Sequence, residues 1–107
     1  MRRVTRSLTG SATGATAPIP MDVNQNPFNV GMGVVVSATG TYTVEHTFDD
    51  IWDTTVTPTW YPNTGLTAQT ANKDGNYAFP VSAIRLNAAA NTGSITLTVI
   101  QATDTSG

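Results

Sequence analysis

No window of this 107-residue chain repeats its apolar residues at the 3.6-residue spacing that would give a helix a buried stripe. Where apolar residues recur, they alternate. Between Thr41 and Phe48, one face carries Tyr42, Val44, His46 and Phe48, and the other Thr41, Thr43, Glu45 and Thr47. Between Ser94 and Gln101, Ile95, Leu97 and Val99 share a face opposite Thr96 and Thr98. A period of two is that of a half-buried β-strand, because successive side chains leave a strand on opposite sides. The chain is thereby restricted to all-β architectures.

The remaining segments are read from their punctuation. Asn24-Gln25-Asn26-Pro27 is turn chemistry, and the run from Phe28 to Val36 is β-branched, with Gly31 and Gly33 suggesting a bulge or a close backbone approach. Ser37 to Gly40 turns the chain. Asp49 to Gln69 is irregular, with room for one short strand around Thr55 to Tyr61, and Asn72 to Asn76 reads as a turn. Tyr77 to Asn87 reads as a strand entered through Pro80, linked by Ala88 to Gly93 to the last alternating run, with which a hairpin is expected. Five to seven short strands make a small antiparallel β-sandwich or a jelly-roll-like barrel. Residues 1–19 lack alternation and are rich in Thr, Ser, Gly and Ala. They are expected as an extended N-terminal arm, with residues 20–107 as the β-sandwich domain.

Composition narrows the function. Only 11% of residues are charged, against an ordinary share of about 25%, and 20 are Thr. Charge keeps freely circulating proteins apart, so its scarcity favours a subunit whose faces are covered by neighbours. There is no Cys, which removes disulfides, thiolate metal sites and Cys nucleophiles, and suits folding in a reducing cytosol. The basic start is not followed by an apolar stretch of signal-peptide length, and the longest aliphatic run is Val34 to Val36, too short for a membrane helix. Three of the five basic residues, Arg2, Arg3 and Arg6, lie in the first six positions, leaving Lys73 and Arg85 against seven acids elsewhere. Arg forks pair well with carboxylates, so the arm is expected to dock on an acidic protein surface. Three cations without interleaved aromatics are a weak footprint for nucleic acid.

Chemistry-bearing residues are few. Asp49, Asp50 and Asp53 are the densest acidic group and a weak candidate for a hard cation, without the spacing of a calcium loop; a solvated turn at a strand end explains them better. His46 beside Glu45, Asp49 or Asp50 could form an acid–base pair. No nucleophile motif accompanies it, and its place on the apolar face fits a hydrogen-bonded core or interface histidine. An enzyme is the weakest class, and no cofactor is implied. Trp52, Trp60 and Tyr61 either plug the core or form an exposed surface, at a protein interface or under a sugar ring.

From Ala17 to Gln101 the chain resembles small virion structural proteins of tailed bacteriophages. The resemblance lies in the runs Pro20 to Gly31, Tyr42 to Asp50, Ala78 to Asn87 and Leu97 to Gln101. It implies a capsid cement or decoration subunit, made in the host cytoplasm and carried on the virion, which binds the major capsid protein and forms a homo-oligomer, most naturally a trimer. A tail or head–tail junction subunit, or a carbohydrate-binding host-recognition module, is the alternative.

Overall fold

Alternating and β-branched runs form nine strands in the computed structural model, which describes residues 3–21, 29–77 and 79–101. Arg2, the expected turn from Asn24 to Pro27, Phe28 and Ala78 lie outside the described residues. The strands are β1 (Val4–Leu8), β2 (Gly14–Ala15), β3 (Ile19–Pro20), β4 (Val30–Val36), β5 (Gly40–Thr47), β6 (Trp60–Pro62), β7 (Lys73–Tyr77), β8 (Ala83–Asn91) and β9 (Ile95–Gln101). They make two antiparallel sheets, one ordered β1-β9-β4-β7 and the other β2-β8-β5-β6, with β3 also paired to β8. There is no helix among the described residues.

The pairing is nested. β1 pairs with β9, β2 and β3 with β8, β4 with β7, and β5 with β6, so the chain folds back on itself from the outside in. Two further ladders, β4 with β9 and β5 with β8, make each sheet continuous. Where the folded-back ribbon crosses from one sheet to the other, its corners bond to one another. Ser37 N–H donates to Ser94 O at 2.9 Å, Thr92 N–H to Thr39 O at 2.8 Å, and Ser11 N–H to Gly93 O at 3.0 Å. The buried Asn91 amide joins in, donating to the carbonyls of Leu8 at 3.2 Å and Ala12 at 2.9 Å. The approach at Gly93 leaves no room for a side chain: a Cβ there would lie 2.8 Å from Ser37 Oγ and 2.9 Å from Ala38 Cβ.

Inward residues of both sheets fill the core, among them Val34, Val44, Ile84, Leu86, Leu97 and Val99, all essentially inaccessible. The expected alternation is realised in β5 and β9, whose even and odd residues respectively point inward. Three expectations change. The last two strands do not form a hairpin; β8 and β9 belong to opposite sheets, because the Asn91 to Ser94 corner crosses the sandwich. The polar run expected as a turn at Asn72 to Asn76 is mostly β7, an edge strand whose free side faces solvent and so tolerates Lys, Asp and Asn. Its Gly75 is filled from across a loop, with Leu66 Cδ1 2.9 Å from where a Cβ would stand. Gly31 and Gly33 mark neither a bulge nor a close approach: β4 keeps an unbroken register, and both face open space.

The largest correction concerns the arm. Residues 4–8 are an edge strand bonded along their length to β9, Val4 and Leu8 pack against the core, and residues 14–15 pair with β8. The segment lacks strict alternation, yet its partner β9 is among the most regular strands in the chain and templates it. Deleting residues 1–9 is therefore expected to destabilise the fold by about 2–4 kcal/mol, from two partly buried aliphatic side chains and a lost ladder. Urea unfolding of the full and shortened chains measures this; a detachable arm would leave the midpoint unchanged.

Candidate functional site

One end of the sandwich is lined with aromatic rings. His46 leaves the inner face of β5, and its cross-strand partner on β6 is Tyr61. Phe48 follows one alternation later. Tyr77 closes β7 in the opposite sheet, and Phe79 comes just after it. Around the imidazole, ring centroids lie at 4.9 Å for Tyr77, 5.4 Å for Phe48, 5.7 Å for Phe79 and 6.0 Å for Tyr61. The first three meet it nearly edge-on, whereas Tyr61 lies over it at an interplanar angle of 28°.

His46 Nδ1 and Tyr77 Oη are 2.7 Å apart, a bond that ties one sheet to the other. Which of the two atoms donates depends on the imidazole tautomer. Beside them, Asn63 Oδ1 accepts the Gly65 N–H at 2.9 Å. Burial lowers the His46 pKa below its ordinary value, keeping the ring neutral and able to accept. Burial pushes the Tyr77 phenol up to about 12, against the opposing Asn63 hydrogen bond and with a smaller contribution from the Glu45 charge.

Three of these rings face solvent on their far sides: Phe48 is 54% exposed, Tyr61 47% and Phe79 47%. With Asn63, Thr64 and Asn76 they line an open cleft of about 630 Å³, none of whose described lining residues is Asp, Glu, Lys or Arg. Phe48 is shared with a neighbouring hollow of about 250 Å³ bordered by Trp52, itself 76% exposed. Exposed apolar surface gathered in one place marks an interaction site more often than scattered residues do.

The residues singled out from sequence are scattered by the fold. Neither tryptophan is a core plug, and the three aromatics form no single platform. Trp60 pairs with Thr47 on the outer face of its sheet, where the Arg85 guanidinium sits 4.2 Å over its ring. Tyr61 points the other way, into the cleft. Glu45 also faces outward, bonded to Arg85 at 2.7 Å, so it is on the opposite side of β5 from His46. The aspartates serve their own loop: Asp49 accepts the Thr59 N–H at 2.7 Å, Asp50 the Trp52 N–H at 2.9 Å, and Asp53 the Thr55 N–H and hydroxyl at 2.9 and 2.6 Å. The Thr55 bonds also hold the Asp53 carboxyl below its ordinary range. Among the described residues no three His, Asp or Glu side chains lie close enough to hold a metal ion. Arg3 is exposed, whereas Arg6 reaches back to the carbonyls of Ala17 at 3.3 Å and Pro18 at 3.4 Å, tying the first strand to its own chain. Phe48 was visible as a cleft residue from its place on the His46 face; Tyr77, Phe79 and Asn63 were not, because nothing local shows that β5 and β7 meet.

No family model and no curated protein matches the chain. Among solved structures, a chain from a study of Bacillus endospore appendages, described as a novel family of disulfide-linked pili, is similar. It has 19% identity and a TM-score of 0.41, over 95% of this chain and 87% of that one.

His46 is the chain's single histidine, which makes its linkage measurable. Because folding lowers its pKa, the fold loses stability as pH falls below the ordinary imidazole value of 6.5 and keeps it in full above that value. The melting temperature is expected to fall between about pH 7.5 and pH 5 in the natural chain, and to vary much less in His46→Gln. Thermal melts of the two proteins across that range check this.

Proposed function

We propose that this chain is a structural assembly subunit of a bacteriophage virion, a cement or decoration protein that binds the outer shell of the head and catalyses no reaction. The observation that carries this reading is the outer face of the β1-β9-β4 part of the first sheet. Its outward residues are Thr5 and Ser7 on β1, Thr96, Thr98 and Ile100 on β9, and Gly31, Gly33 and Val35 on β4. None is charged. Val35 and Ile100 are more than half exposed, at 56% and 51%. The centre of a protein interface is depleted in charge in the same way, and a flat face of hydroxyls, glycines and aliphatic side chains suits burial against a neighbouring β-surface.

Two further features support it. The two antiparallel sheets suit a β-sandwich, the broad class of architecture to which the jelly rolls of viral capsid domains, lectins and cupins belong. Since one architecture serves many functions, the sheet face and not the fold carries the argument. The acid–base candidates do not converge, with Glu45 and His46 on opposite sides of β5. Docking in this reading is done by the sheet face, with Arg3 at its rim, since Arg6 is engaged within the chain. The partners are the major capsid protein and further copies of the chain, in a trimer.

Sedimentation of the purified chain, followed by binding to intact phage heads, tests the proposal. An oligomer that binds heads is expected. The double variant Thr98→Lys with Ile100→Lys places two charges on the bare face; it should abolish binding while changing stability by no more than about 1 kcal/mol. A monomer indifferent to heads, or a double variant that binds as well as the natural chain, contradicts the proposal.

A further inference from the structure

We propose that the aromatic cleft at the His46 end of the sandwich binds a neutral saccharide. The cleft lies at the His46 end of the sandwich and borders the outer sheet face at Asn76, the cross-strand partner of Gly31; the inference does not depend on the assembly role.

At about 630 Å³ the cleft has the size of a small-molecule site. Its described lining residues carry no ionised side chain and so offer a charged ligand no counter-ion. A wholly apolar ligand suits it no better, because it would leave polar groups of lining residues such as Asn63 and Thr64 without partners. What fits is a ligand that is neutral, with an apolar face and a rim of hydroxyl groups. A pyranose has that surface: its axial C–H bonds form the apolar face and its hydroxyls both donate and accept.

The rings are arranged to receive it. Tyr61 lies over the imidazole of His46 with one face, so its exposure belongs to the other face, which is free to take the C–H side of a sugar. Phe48 and Phe79, with centroids 6.3 Å apart and an interplanar angle of 34°, stand beside it. Tyr61 is paired with His46 across the β5–β6 ladder, and His46 is hydrogen-bonded to Tyr77 from the opposite sheet. Preorganisation of this kind removes much of the ordering cost of binding.

The test is titration of the full chain with glucose, galactose, mannose and N-acetylglucosamine, each as monomer and short oligomer, followed by amide and aromatic NMR shifts. At least one neutral sugar is expected to give saturable shifts centred on Tyr61, Asn76 and Phe79. Tyr61→Ala and Phe79→Ala should each weaken binding by about tenfold while the chain stays folded by circular dichroism. Trp60→Ala, on the opposite side of its strand, should leave it unchanged. Failure of every sugar to saturate at concentrations on the order of 100 mM would overturn the proposal. So would binding that survives both ring removals, or a preference for uronic or sialic acids over neutral sugars.

Discussion

The first strand of the chain pairs with the last. Val4 lies opposite Val99 and Leu8 opposite Ile95, so the outermost ladder closes a loop of nearly the whole sequence. Every other pairing is nested within that closure, down to β5 and β6 at the centre. Closing long loops costs entropy before any contact rewards it, although that cost grows only slowly with length. The return comes from apolar burial distributed over both sheets, and β9 and β8, bonded on both sides, are where most of the nest converges. This dependence on distant pairings predicts slow folding relative to a helical protein of the same size.

The nest also explains why the two ends of the sandwich differ. At one end the ribbon turns its corners, and the bonds among Ser11, Ser37, Asn91 and Ser94 close it with backbone and small polar groups. At the other, β5 runs out past His46 and β7 ends at Tyr77, and the chain crosses between the sheets from β7 to β8 beside the rings. There the short hydrogen bond between His46 Nδ1 and Tyr77 Oη also joins the sheets. A polar end and an aromatic end follow from the same winding.

Much of the local structure was legible in the sequence, and little of the pairing. Alternation identified β5 and β9 almost to the residue, since Tyr42 to His46 and Ile95 to Val99 each obey the period of two under one-sided burial. It did not identify β1, whose Val4 and Leu8 are separated by Arg6 on the same side of the strand, nor β7, whose edge position removes the need for apolar residues. The hairpin expected of β8 and β9 illustrates the limit: adjacency in sequence favours pairing, but the close approach of Gly93 to Ser37 and Ala38 turns that connection across the sandwich. The cleft was half legible. Phe48, His46 and Tyr61 were each conspicuous, but Tyr77 reaches them only through a sheet packing that no local pattern encodes.

Backbone amide exchange on the full chain tests the central claim, that residues 4–8 are a structural strand closing the nest. The β1 amides that bond to β9 should exchange orders of magnitude more slowly than in a free chain, and within the same protected unit as β9 and β4. If β1 exchanges at free-chain rates while β9 and β4 stay protected, the outermost closure is absent and the account of the fold built on it is wrong.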